Sequence, residues 1–467
     1  MSGLHMLRIV VVAAVGLLAV AGGCVLTDPG ESASEACPAD GGAAMPATAR
    51  PAASGVGDLV IVGRIVTMSE PAMAEALLIE GGVVTCVGTR DQVLKRAGED
   101  VPVVDIGANV AYPGFIDAHA HWIGDRDYYG LQTAEEAMDA ALSRGWTSVS
   151  EQWVNPERLA ELIALAADDA LPLRVDAYLS LNYGDEFFGD WYADRDPGAV
   201  DERLRVQGVK IHLDNGRGDV INWEQGELTD AIGRADAAGW QVSVHSVSTA
   251  AQEMVLDAYE AAMGPTSENP LHHRIEHAID VSDDQLTRMV AMDLVILIHP
   301  DGGSGDWVLW NDHMGLGAAY PPEQDGWLTR LRDFVDAGLH VAAATDAPWF
   351  LPDLLLTDDI GRPFDQIAGG MDGHGREYPG TPEFMLDQLL TAEQVLRAMT
   401  VEAAYALRDE ARRGHLAPGT LGDVTILSGD VTAGTPEELR AMSVVATIVG
   451  GVVEHCGDPA ICESPPP

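Results

Sequence analysis

At 467 residues, with 47% hydrophobic side chains, the chain is long enough for a large core with a small companion domain. Its 73 acidic against 27 basic residues give a formal net charge of −46. That balance argues against nucleic acid as a partner, because phosphates demand a basic face, and it fits an exported protein kept soluble by an acidic surface.

The amino terminus reads as a targeting segment. Arg8 precedes an apolar run over about 9–26, and a Pro/Ala/Gly/Ser-rich stretch follows. Two cleavage positions compete. Ala19-Val20-Ala21 fits an ordinary small-residue site, whereas Ala21-Gly22-Gly23-Cys24 resembles a bacterial lipobox with Cys24 as the lipid-bearing first residue. An uncleaved run would serve as a membrane anchor, and all three readings export the remainder. The expected organisation is a signal peptide over 1–23 and a disordered linker over 24–57. Cys456 and Cys462 are spaced to close a small disulfide loop in a tail over 456–467, as suits an oxidising compartment. Cys37 falls in the linker, and Cys86 falls in an expected strand as a buried apolar residue.

Short β-runs follow at 59–66, 76–79, 83–87 and 103–106, with Glu80-Gly81-Gly82 as a hairpin-like break. Similar runs return at 424–427 and 444–453, after a helical stretch ending near Arg413. The simplest account is a β-sandwich over 58–112 plus 414–455, built from both chain ends, with a second domain over 113–413 inserted. That inserted stretch alternates strand and helix. Eight strand candidates lie at 115–119, 147–151, 173–179, 206–213, 241–245, 274–277, 294–299 and 341–346, with helical patterns such as 156–169, 225–238, 249–262 and 282–292 between them. Eight such units predict an α/β fold, a (β/α)8 TIM-like barrel, over an open doubly wound sheet.

In a barrel the active site lies where the strands end at their carboxyl side. Pro113-Gly114-Phe115-Ile116-Asp117-Ala118-His119-Ala120-His121 releases an apolar strand that ends in two histidines, and their i, i+2 spacing sets them side by side to grip a metal ion. His245, His277 and Asp346 fall at equivalent strand ends. The chain holds only two lysines against twenty-five arginines, and one of the two sits in Val209-Lys210-Ile211-His212-Leu213. Lys210, His212 and Asp214 alternate inward there, and a buried ammonium is costly unless paired or chemically changed. Lys210 is therefore either paired with an internal carboxylate or carboxylated to a metal-bridging carbamate. Asp346 follows small alanines that leave room in the barrel; a helix N-cap is its plainer role, and its place as last member of the histidine set favours catalysis.

These motifs together resemble the amidohydrolase superfamily, and within it the amidohydrolase-3 branch, which includes N-substituted formamide deformylase-like proteins. Gly208-Val209-Lys210-Ile211-His212-Leu213-Asp214, Arg274-Ile275-Glu276-His277-Ala278 and Thr345-Asp346-Ala347-Pro348 are similar to its strand-four, strand-six and strand-eight signatures. The stretch from Leu390 to Thr400, Ala403-Ala404, Gly414 to Gly419 and Gly422-Asp423 is similar to its closing helix and return to the sandwich. The resemblance implies about two zinc ions per chain. His119 and His121 would bind the first with Asp346 as a further ligand, His245 and His277 would bind the second, and carboxylated Lys210 would bridge them. Asp346 would be the general acid/base for cleaving C–N bonds of amides, formamides or cyclic amides by an activated water.

Three departures surround the substrate pocket. Ser246-Val247-Ser248-Thr249 stands where the branch runs Ala-Ile-Gly-Asp, and Asn215-Gly216-Arg217-Gly218-Asp219 replaces a Gly-Ser-Leu-Gly-Ser-Arg stretch. The long insertion after the HxH pair is absent. His272 and His273 are expected to be solvated or paired with acids and His212 to lie below the metals; His299 is likewise read as an ordinary histidine, although it ends strand seven within reach of the pocket. Trp307, Trp310, Trp327 and Trp349 sit in loops on the same rim as candidate walls of an apolar substrate pocket, with packing the plainer role of each one singly. The reading is thus an exported hydrolase of small amide-like substrates, a lipoprotein facing the periplasm or cell exterior, in contact with a membrane only through its anchor or signal segment, with homo-oligomers possible. Two alternatives stand beside it: a mononuclear deaminase-like enzyme with unmodified Lys210, and a catalytically silent binding lipoprotein on the same fold.

Overall fold

The apolar runs become strands of two sheets in the computed structural model, which describes residues 37, 57–215, 218–265, 268–301, 327–347, 361–374 and 383–462. The signal segment, Cys24, most of the linker, Trp307, Trp310 and Trp349 lie outside the described residues.

The first sheet takes β1 (Leu59–Val66), β2 (Met73–Glu80), β3 (Val83–Gly88) and β4 (Val103–Pro113) from one end of the chain. From the other end it takes β13 (Val424–Leu427), β14 (Val444–Val449) and β15 (Val452–Cys456). Its order is β15-β14-β13-β4-β1-β2-β3, so the expected union of both chain ends is one continuous mixed sheet, sewn together where β13 runs antiparallel to β4. Alternate residues from both ends, among them Ile61, Leu77, Val104, Ile426 and Ile448, share one apolar cluster.

All eight expected barrel strands are present: β5 (Phe115–Ala120), β6 (Trp146–Val154), β7 (Arg174–Ser180), β8 (Leu204–His212), β9 (Gln241–Ser246), β10 (Arg274–His277), β11 (Val295–Ile298) and β12 (His340–Ala343). Each pairs in parallel with the next. The ring is drawn shut at its carboxyl end by two backbone hydrogen bonds, Asp346 N to His119 O at 3.0 Å and His121 N to Ala347 O at 2.8 Å.

The period-two pattern sorts the side chains into two layers. Val149, Val175, Val209, Val242, Ile275, Ile296 and Val341 join the outer cluster, which also holds residues of helices such as α1 (Pro156–Ala167), α2 (Gln225–Ala237) and α3 (Thr249–Met263). Ile116, Ala118, Tyr178, Val295, Leu297, Ala342 and Ala344 join a separate inner cluster, together with Ala403, Ala404 and Ala406 of the helix Val401–Ala406. Local signals agree with these boundaries: Asn155 caps α1 ahead of Pro156, and Ser282 and Thr391 form capping boxes with Gln285 and Gln394.

The cysteines behave differently from one expectation. Cys456 and Cys462 are joined, as their spacing allowed. Cys86 is buried, but as half of a disulfide with Cys37 rather than as a lone apolar thiol. A partner 49 residues away in a periodicity-free segment gives no local signal.

The barrel is fastened to the sheet by buried ion pairs. Arg174, at the start of β7, grips Asp423 with Nε–Oδ2 at 2.6 Å and Nη2–Oδ1 at 2.8 Å, while Gly450 N donates to the same carboxylate at 2.8 Å. Arg413 holds Asp176 in the same two-pronged way at 2.8 and 3.1 Å. Burial pushes the Asp423 carboxyl up, but the Arg174 guanidinium and the Gly450 N–H override it and hold the group below the ordinary carboxylate range. A depressed carboxylate stabilises the fold above its unfolded-state pKa, and this contribution is lost as pH falls through the folded value. Asp423→Ala is therefore expected to cost about 3–5 kcal/mol at pH 7 by leaving Arg174 uncompensated. Denaturant melts at a series of pH values should show that gap narrowing below about pH 4, the ordinary carboxylate range.

Candidate metal centre

The strand ends are built to present side chains rather than to continue the sheet. β5 shifts register against β6 between Asp117 and Ala120, which turns the HxH pair into the mouth. His277 and Asp346 leave their strands with φ of 73° and 51°, a left-handed conformation uncommon outside glycine, although Asp and His adopt it more readily than most, and one that recurs at functional sites. Asp117 ties the two rims of the ring together. Its carboxylate accepts from Trp122 Nε1 at 2.9 Å, from Thr345 N at 2.9 Å and from Thr345 Oγ1 at 2.6 Å. Asp346 is thereby fixed against the strand that carries His119.

Asp346 Oδ1 lies 3.2 Å from His119 Nε2 and 3.3 Å from His121 Nε2. The ligand atoms of these three buried residues lie within 4.8 Å of one another, and so do those of His277, His299 and Asp346. Asp346 thus belongs to two candidate groups at once. His277 Nδ1 and His299 Nε2 are 2.9 Å apart, and the His119 and His277 rings are 4.9 Å apart.

The structure brings His119, His121, His277 and Asp346 together as the sequence suggested. It sets His299, rather than His245, in the second group. The His245 ring stands 4.4 Å from that of His277, with Nε2 3.5 Å from Asp214 Oδ1. Lys210 points into the barrel, fully buried, and its Nζ makes no hydrogen bond to any carboxylate. A lysine simply paired with an internal acid is therefore not what the structure shows.

The donor set fits a metal. His119 Nε2, Lys210 Nζ, His245 Nε2, His277 Nε2 and Asp346 Oδ1 are all buried without an aligned hydrogen-bond partner. So many orphaned polar atoms in one place would be costly unless a cation filled the space between them. The protonation states agree. Burial lowers the imidazoles of His119 and His277, takes His245 down to about 3 and His299 to about 4, and so keeps them in the neutral form that ligates. His121 differs: burial opposes its protonation, but Asp346, Asp125 and Glu151 raise it. Burial also works against the Asp346 carboxylate, yet attraction to His119 and its neighbours holds it well below the ordinary range. Burial brings Lys210 down to about 8, against the pull of Glu276 and Asp346, so a neutral amine is accessible near neutral pH.

Sequence reasoning passed over several contributors. Glu276 directly precedes His277 in the same motif, and its Oε2 lies 2.5 Å from His119 Nδ1. Asp214 accepts from Val247 N, Ser248 N and Ser248 Oγ, so the Ser246–Thr249 departure supplies contacts of its own. Trp153 and Tyr183, with ring centroids 4.3 Å apart, extend through His212 toward His245 as a row of rings. An aromatic residue at the end of a barrel strand was the available signal for Trp153. Of the histidines set aside, His273 is buried and pairs with Asp236 at 3.0 Å, while His272 stacks on Tyr405. His212 bonds Asn182 O through Nδ1 at 3.0 Å.

Comparison with known proteins agrees with this fold. An N-substituted formamide deformylase of Arthrobacter pascens is 26% identical over 235 residues, covering 50% of this chain and 40% of that protein. The putative amidohydrolase YtcJ of Bacillus subtilis is 25% identical over 255 residues, covering 54% and 42%. The match thus spans about two fifths of the length of these two relatives. A metal-dependent hydrolase of Pyrococcus horikoshii superposes with a TM-score of 0.66 at 18% identity, over 81% of this chain and 99% of that one, which is a likeness of fold. The model described as "Amidohydrolase family" matches residues 125–455. Because that match runs from β6 through the remaining barrel strands and back into the sheet, the chain belongs to the amidohydrolase family.

Proposed function

We propose that the chain is a metal-dependent hydrolase that cleaves C–N bonds of amides, formamides or cyclic amides. The observation that carries this reading is Asp346, ionised and buried, shared by two groups of imidazoles in which His119 Nε2, His277 Nε2 and Asp346 Oδ1 lack an aligned hydrogen-bond partner. His119, His121 and Asp346 would hold one ion, and His277 and His299 with Asp346 a second, with His245 and Lys210 adjoining. A bound divalent ion such as Zn2+ supplies a Lewis acid that polarises a carbonyl and makes water a nucleophile near neutral pH.

The chain's own residues do the rest. Asp346 is the base that accepts a proton from the attacking water and returns it to the leaving nitrogen, so the departing group leaves as a neutral amine. Burial lowers the imidazoles of His119, His245, His277 and His299, which keeps their ring nitrogens available as ligands. Trp153 and Tyr183 offer an apolar side against which a substituent on the scissile amide can lie. N-substituted formamides, named for the Arthrobacter relative, are the first substrates to try.

A second reading uses a single ion at His119, His121 and Asp346 with Lys210 left as an amine. It is favoured by the 2.9 Å approach of His277 Nδ1 to His299 Nε2, which lets these two rings bond each other rather than a second ion. Export is part of the proposal: two disulfides fit an oxidising compartment, and Cys24 would carry the lipid.

Two outcomes are expected. His119→Ala should abolish turnover of formamide substrates while far-UV circular dichroism stays that of the wild type, and Asp346→Asn should lower kcat roughly 10²–10⁴-fold; undiminished turnover in either would contradict the assignment. Dialysis against a chelator should remove activity, and zinc should restore it. Metal analysis of the restored protein then separates two equivalents, with activity helped by bicarbonate, from one equivalent indifferent to it.

A further inference from the structure

We propose that Glu276 is a positioning residue for His119, acting with Arg274 as a clamp across the barrel that fixes which ring nitrogen faces the metal centre. This rests on the reading of His119 as a ligand, and it concerns residues that reading leaves unassigned.

Arg274 and Glu276 are two apart on β10, so both project inward, and both are fully buried. Their ion pair is two-pronged, with Nε to Oε1 at 2.5 Å and Nη2 to Oε2 at 3.0 Å. Neutralising Arg274 would require nothing more. Yet each partner also reaches across to β5. Arg274 Nη2 donates to Ala118 O at 2.7 Å, and Glu276 Oε2 meets His119 Nδ1 at 2.5 Å. The pair therefore holds two consecutive residues of the HxH strand, one by its backbone and the next by its ring. Ser243 Oγ occupies the remaining side of the carboxylate, 2.7 Å from Oε1.

The consequence for His119 is chemical. The Glu276 carboxylate accepts hydrogen bonds, so His119 Nδ1 donates to it and is taken up by that contact. Nε2, 3.2 Å from Asp346 Oδ1, is then the ring nitrogen turned to the metal centre. Glu276 thus sets the ring so that Nε2 is the atom offered to an ion. Carboxylate partners of this kind orient ligating imidazoles and raise their basicity, and their loss typically weakens metal binding 10–100-fold.

Two measurements test this. In protein labelled with 15N-histidine, ring-nitrogen NMR of the metal-free wild type should show His119, assigned by its loss in His119→Gln, protonated at Nδ1; a proton at Nε2 would overturn the proposal without touching the fold. Zinc affinity, read by competition with a chromophoric chelator, should fall roughly 10–100-fold in Glu276→Gln and in the double variant Arg274→Met, Glu276→Leu, whose apolar pair spares the barrel an unpaired buried charge. Wild-type affinity in the folded double variant would defeat the clamp. Unchanged affinity in His119→Ala would instead defeat the metal reading, leaving the tautomer measurement to stand alone.

Discussion

The mouth of this barrel is organised around one buried carboxylate held among imidazoles where water has little access. Asp346 draws His119 and His121 from one side and His277 and His299 from another. Several of its atoms are buried with no aligned hydrogen-bond partner, a costly arrangement that a bound cation would relieve. The surrounding fold is the frame that holds these candidate ligands in place. A site arranged in this way spends stability to gain readiness.

The frame does so by closing at the rim. The hydrogen bonds between the segments of His119 and Asp346, reinforced by Asp117 on Thr345, convert a nearly closed sheet into a ring with defined edges. Below the rim the interior is filled by small and branched residues, which lets the polar network of Arg274, Glu276 and Ser243 sit between packed layers. The left-handed backbone of His277 and Asp346 is held by this closure, since neither residue favours that conformation by itself.

What the sequence disclosed follows from distance along the chain. The HxH pair, the strand-and-helix alternation and the inward alanines before Asp346 are local patterns with a period, and each appears in the structure where the pattern put it. Lys210 was placed inside by the same period-two argument. Contacts between distant segments were not legible. Glu276 reads as a routine polar residue until β5 is seen across the barrel from it, 157 positions earlier. His299 joins His277 only because β10 and β11 are neighbours, and the sequence offered its strand-end position but not its partner. Cys86 looked apolar because burial is what a disulfide half shares with a core residue.

That same cross-link determines where the leading segment meets the folded body. Cys86 lies on β3, the outermost strand of its sheet, and no barrel strand takes part in the bond. Any pull transmitted along the chain before residue 37 is therefore borne by an edge far removed in connectivity from the ligands. Reduction of this tie would free residue 37 from the edge of the sheet and leave every pairing of the barrel strands as it is.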